Sequence, residues 1–195
     1  MSIVKSITDY INKNLELSIF KGSNASLYSI TEHVAKDDKM IPAIIKDGEA
    51  DYVIYDDRFD FVVYHRLENI GYTLVKSSGY GDSVNNKQAV YNMALYVSFN
   101  SDKIAAHELI EAINTAFVTN LTSAQNQKLS LLSATIETTG AVAQSKENNL
   151  LNSEFQISGN EILPKITMAR IRYTITTTAR LACVNPCNTE EKCLN

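Results

Sequence analysis

Residues 169–184 read ARIRYTITTTARLACV, and that alternation limits what the chain can become. From Ile171 onward the odd positions are apolar or small: Ile171, Tyr173, Ile175, Thr177, Ala179, Leu181 and Cys183. The even positions hold Arg170, Arg172, Thr174, Thr176, Thr178 and Arg180. Successive strand residues point to opposite faces, so this period predicts a long strand near the C-terminus. One of its faces suits a core, and the other carries hydroxyls and cations. Just upstream, Ile166 and Met168 put the apolar set on even positions. The sequence therefore predicts an inversion of the faces near Ala169–Arg170, which one extra residue in a bulge would produce.

A second alternating run, YNMALYVSF at 91–99, predicts a half-buried strand with Tyr91, Met93, Leu95, Val97 and Phe99 on one side. Two stretches have helical spacing instead. Ile3, Val4, Ile7, Tyr10, Ile11 and Leu15 predict an N-terminal helix over about 2–15, with Ser2 as its cap. Ile104, Ala105, Leu109, Ala112, Ile113, Ala116 and Phe117 predict a central helix over about 102–118, capped by Ser101.

Between them, LELSIF and SLYSIT read as short strands and EHVAKDDK as a charged loop. Runs at 41–46, 51–55 and 59–66 predict an antiparallel meander, with turns at Asp47-Gly48 and Asp56-Asp57. Residues 77–90 read as a polar loop, LSLLSATIETTG as a strand ending at Gly140, and EFQISGNEIL as a hairpin. The fold class is α+β: a mostly antiparallel sheet flanked by the two helices and closed by a long C-terminal strand. One domain spans 1–184, within which 121–160 is an insertion or an arm; 185–195 form a flexible tail.

The 195-residue chain is long enough for a core without covalent staples. Net charge is −4, which argues against a general nucleic-acid binder. No run approaches the ~18 apolar residues of a membrane span, and the N-terminus lacks a signal-peptide pattern. Cys183, Cys187 and Cys193 crowd the last 13 residues. Their odd number and the lack of a nearby His make a zinc site poor, leaving free thiols, one disulfide or a site shared between subunits.

Candidate chemistry is sparse. HELIE at 107–111 has Glu111 where a zinc helix needs its second His. GYGD at 79–82 lacks the third glycine of a phosphate cradle. Asp47, Glu49, Asp51, Asp56, Asp57 and Asp60 cluster in the meander, where turns favour Asp for local reasons. A metal-dependent hydrolase or nuclease would have to use them. His33, His65 and His107 are scattered, and no Ser sits in a G-x-S-x-G elbow. No enzyme activity, metal or cofactor is expected. The Arg170, Arg172, Thr174, Thr176, Thr178 and Arg180 face reads as solvated, as a contact with a subunit or partner, or as a nucleic-acid contact.

The order of a lead helix, a meander, YNMALYVSFN, the helix SDKIAAHELIEAINTAF and a strand through MARIRYTITTT resembles the tail-terminator and head–tail connector (tail-completion, neck ring) proteins of tailed bacteriophages. The resemblance covers residues 1–120 and 160–180. It implies a structural virion protein that assembles in the host cytoplasm into a homo-oligomeric ring of six or twelve subunits. It also implies portal or adaptor neighbours, DNA passing non-specifically through the lumen, and no membrane. In this reading the C-terminal strand meets a neighbouring subunit by its Arg/Thr face or its open edge. A monomeric binding module is the remaining alternative.

Overall fold

The computed structural model describes residues 3–53, 58–76, 85–100, 102–116, 134–144, 150–156 and 166–180. Its elements run α1 (Ile3–Ser18), β1 (Ala25–Lys36), β2 (Lys39–Lys46), β3 (Glu49–Tyr52), β4 (Phe61–Lys76), β5 (Asn85–Asn100), α2 (Ala106–Ala116), β6 (Ala134–Gln144), α3 (Leu150–Phe155) and β7 (Ile166–Arg180). The expected α+β class, lead helix, central helix and C-terminal strand are all present. Seven strands form one sheet in the order β3-β2-β1-β4-β5-β7-β6. Every pairing is antiparallel except β1 with β4.

Both faces of the sheet are covered. On one, Val63, Leu95, Val97, Ile171, Tyr173 and Ile175 pack against Val4, Ile7, Ile11 and Leu15 of α1 and Leu109 and Ile113 of α2. The four α1 positions supply roughly 6–12 kcal/mol of gross apolar burial. That burial holds a helix with no acidic residue in its first turn and no basic one in its last. On the other face, Val62, Tyr64, Ala94, Tyr96, Ile166 and Met168 pack under Leu150 and Phe155 of α3.

This two-sided burial corrects the expected inversion near Ala169. Met168 and Ile171 belong to different cores, so apolar residues occupy both parities without any slip. β7 pairs with β5 continuously from Ile166–Asn100 to Arg180–Asn86. The bulge lies on β6 instead, between Thr138 and Gly140.

Other expectations shift as well. α1 runs on to Ser18, so LELSIF is not a strand. Ile19 and Phe20 both donate to the Leu15 carbonyl, and the Phe20 ring meets Phe61 at 4.7 Å. EHVAK continues β1 rather than looping. Asp37 (φ 49°) and Asp38 (φ 62°) then turn the chain into β2, as Asp47 (φ 53°) and Gly48 (φ 85°) turn it into β3. A two-residue hairpin turn of this hand needs positive φ at both positions, which Asp accepts better than most residues.

The meander ends at β3. β4 returns to lie parallel beside β1, not beside β3. Asn24 fastens the return: its amide N–H donates to Asp60 Oδ2 (3.0 Å), its side chain to the Arg58 carbonyl (2.8 Å), and Asp60 N–H donates back to the Asn24 carbonyl (2.7 Å).

β4 runs up to the expected 77–90 loop, ending at Lys76, and β5 begins within it at Asn85; 77–84 lie outside the described residues. α2 starts at Ala106, because Asn100 accepts from Asp102 N–H and Lys103 N–H and holds a turn ahead of it. The 121–160 stretch supplies a strand of the sheet, β6, and the helix α3. Glu154 and Phe155 of the expected EFQISGNEIL hairpin lie in α3. Its turn at 158–160, the Asp56-Asp57 turn and the tail at 185–195 lie outside the described residues.

A polar network ties α1 to the sheet. His65 is fully buried, with Nε2 2.8 Å from Asn12 Oδ1 and Nδ1 2.7 Å from the Tyr173 hydroxyl. Asn12 spends its NH₂ on the Tyr28 carbonyl at the β1 bulge, so its oxygen must accept. His65 Nε2 therefore carries the hydrogen, and Tyr173 donates to Nδ1. Burial pushes the His65 imidazole down to about 3.

The folded protein thus keeps His65 neutral where an unfolded chain, with an ordinary value of 6.5, takes up a proton. Acid then favours unfolding. Between pH 6.5 and 4.5, urea titrations should show unfolding free energy falling with pH by up to about 1.4 kcal/mol per pH unit from this group. His65→Gln should begin less stable and lose that part of the slope; an unchanged slope would remove His65 as its source.

Candidate functional site

Of the six β7 residues expected at a contact, Arg170, Arg172, Thr174 and Thr176 lie where both borders of the strand are taken, by β5 and by β6, so the expected open edge is not there. Thr178 and Arg180 pair with β5 alone among the described residues. Its polar face is partly spent within the chain. Arg172 reaches across small Ala94, its β5 partner, to Glu68 on β4, with Nε 3.0 Å from Oε2. A bulge between Leu67 and Asn69 makes Glu68 the extra residue of β4 at this level. Thr174 donates to Asn92 Oδ1 at 3.3 Å, and Asn92 donates in turn to Asn69 Oδ1. Arg170 and Thr176 are half-buried. Thr178 and Arg180 end β7, and their side chains lie outside the described set.

Further down this face, α3 is pinned by one carboxylate that the sequence did not single out. Glu154 is 3% exposed. Arg66 Nη1 donates to both its oxygens at 2.7 Å, and the Tyr64 hydroxyl donates to Oε2 at 3.2 Å. His33 Nε2 lies 3.3 Å from Oε2. Burial alone would raise the Glu154 carboxyl, but the His33 hydrogen bond and the Arg66 charge outweigh it and hold the group below its ordinary value.

Tyr64 stacks on Tyr96 with centroids 5.0 Å apart, and the Arg66 guanidinium sits 5.0 Å from the Tyr96 centroid. Burial pushes Tyr64 well up and Tyr96 up to about 12, so both stay phenols. The Tyr96 hydroxyl lies near Glu154 and Arg170 but reaches neither at hydrogen-bonding geometry. The charges of the cluster meet each other beneath α3, with the Arg66 and His33 side chains still 25% and 29% exposed.

The remaining candidates do not converge. Asp47, Glu49 and Asp51 are exposed on the β2–β3 hairpin, whereas Asp60 sits at the start of β4. The Lys103 ammonium hydrogen-bonds Asp60 and, with the Asn24 N–H, holds its carboxyl below the usual range. His107, Glu108 and Glu111 are exposed on α2. Among the described residues, no three His, Cys, Asp or Glu side chains are grouped to hold a metal. No helix among them is long and apolar enough to cross a membrane. An open groove of about 470 Å³ lies between the end of α1 (Ser18, Ile19) and α2 (Glu108, Glu111, Ala112, Thr115, Ala116). Its polar groups are the Glu108 and Glu111 carboxylates and the Ser18 and Thr115 hydroxyls.

The accessible features are the borders of the sheet. β1 pairs with β4 only as far as Thr31–Arg66, and then pairs with β2 from Glu32 onward. Past Arg66, β4 continues for ten residues, Leu67–Lys76, with β5 on one side and no described strand on the other. Ile70 (42%) and Tyr72 (59%) are exposed there. On the opposite margin β6 pairs only with β7 among the described residues. No protein-family model matches the chain, and no curated protein matches it either.

Removing the α3 carboxylate should unpair a mostly buried guanidinium. Glu154→Ala should cost about 2–4 kcal/mol by urea denaturation, below the largest values for such losses because Arg66 is a quarter exposed. Glu154→Leu combined with Arg66→Met should recover most of it. Glu68→Gln, at the more exposed Arg172 pair, should cost less than about 1 kcal/mol.

Proposed function

We propose that the chain is a structural subunit that assembles, border to border, into a ring in the neck or tail of a tailed phage. In such a ring it would join portal or connector to tail while DNA passes through the lumen. The observation that carries this reading is the distal half of the sheet. There β4, β5, β7 and β6 form a four-stranded antiparallel ribbon with two margins that no described strand covers.

Four antiparallel strands is an even number, so the two margins run in opposite directions. When neighbours are related by rotation about an axis along the strands, β6 of one meets β4 of the next antiparallel. The alternation then continues unbroken through every junction. The two surfaces differ, and a heterologous contact of that kind forms a ring when its rotation closes. Unpaired N–H and C=O groups along each margin supply the bonding.

Two residues of the polar face of β7 are engaged within the chain. Arg172 and Thr174 already hold Glu68 and Asn92. A catalytic reading has less support, since the strongly perturbed groups are sealed: His65 is 0% exposed and both its nitrogens are used.

Native mass spectrometry with negative-stain imaging tests the proposal. Closed rings of six or twelve copies of the 21.7 kDa chain are expected, alone or on adding a portal or adaptor ring. A single-chain mass under all these conditions would favour a monomeric binding module. Metal-dependent turnover lost in Asp51→Ala would favour the hydrolase.

A further inference from the structure

We infer that the fork between β1 and β4 is a strand-insertion site, and that its occupant is the β6 margin of a second copy. The inference rests on the ring reading and adds to it the place where the joint forms. β1 and β4 run parallel and paired up to Thr31–Arg66 and then part, β1 turning its second half, Glu32–Lys36, to β2. Two strands that leave a common rung present facing borders, and an extended segment entering between them can pair with both.

Direction and level favour β6. β1 and β4 are parallel to each other, so one strand can be antiparallel to both at once, the more stable pairing. The neighbour's β6 has that direction in the ring. Through the β5 and β7 rungs its Ala134–Thr138 stands level with Leu67–Tyr72 of β4. Its sequence, ATIETTGAVAQ, holds one charge, Glu137, and no Lys, Arg or Pro, the residues that keep a border from pairing.

The other outer border of the sheet is guarded. β3 has only four residues, EADY, with Glu49 and Asp51 exposed, and it follows the exposed Asp47. The base of the fork is rigid, since Arg66 and His33 are both held to Glu154 there.

Hydrogen–deuterium exchange on the unmodified chain, assembled against dissociated, reads this directly. Each of Glu32–Lys36, Leu67–Tyr72 and Ala134–Thr138 should contain amides that exchange at least about tenfold more slowly in the assembly. Protection of β4 and β6 without β1 would overturn the fork and leave a plain margin contact. Rings without protection in any of the three segments would overturn the inference while leaving the ring reading intact. A chain that never associates would overturn both. As a second arm, Ile70→Lys with Tyr72→Lys should abolish assembly and leave the circular dichroism spectrum unchanged; rings of normal mass from this variant would count against the site.

Discussion

The unbroken register between β5 and β7 is the constraint on which the rest of the structure depends. Their rungs run from Asn100–Ile166 to Asn86–Arg180 without a shift. Because the side-chain period is two, a slip by one residue would turn Ile171, Tyr173 and Ile175 away from α1 and α2 and drive Arg172 and Thr174 into that core. The same slip would strip α3 of Met168. One register therefore fixes two cores, and neither can form without the other. The flanking strands absorb the geometric mismatch. β4 bulges after Leu67 and β6 after Thr138, and both positions adjoin the Met93–Tyr173 rung. A straight central pair with a bend on each side, at one level, separates the helix-covered body from the distal ribbon.

Which parts of this were legible follows from which signals are local. The period of β7, the stripes of α1 and α2 and the Asp47-Gly48 turn depend on residues close in sequence, and they read correctly. Asp37-Asp38 uses the same backbone chemistry but lacks a glycine, so EHVAKDDK looked like a loop. The parallel return of β4 to β1 leaves no periodic trace, since it depends on Asn24 meeting Asp60, 36 positions away. Ile166 and Met168 were misread for a more instructive reason. A strand buried on both faces has apolar residues at both parities, and from sequence that is indistinguishable from a bulge. Glu154 had no signal at all: a lone Glu in a weakly patterned stretch becomes the pin of α3 only when β1 and β4 bring it His33 and Arg66.

The buried ionisable groups form two closed circuits, one on each face. Asn12, His65 and Tyr173 join α1, β4 and β7 on one side. Glu154, Arg66, Tyr64 and His33 join α3, β4 and β1 on the other. Perturbed titration often marks active sites, but it does so where the perturbed group faces a cleft. Here the perturbation follows from enclosure, and the partners are protein atoms that fix the register of a helix on a sheet. A wrong seating of α1 would leave His65 Nε2 unpaired, and a wrong seating of α3 would leave Arg66 without its carboxylate. Either penalty exceeds that of a mispacked methyl group. These polar groups therefore select among packings that apolar contacts alone would leave close in energy.

The borders of the sheet are treated unequally. A sheet that must stay solitary shortens, charges or covers every edge. β3 follows that rule, with four residues and exposed acids on an exposed hairpin. β4 past Arg66 does not among the described residues: Ile70 and Tyr72 are exposed there, and no described strand lies along its outer side. Such a margin carries a standing risk of mispairing in a chain that folds and stays alone. In a chain whose neighbours close over it, the same margin is an unfinished part of the sheet. The guarded hairpin has the complementary character: four residues and exposed acids make β3 a poor border for a further strand.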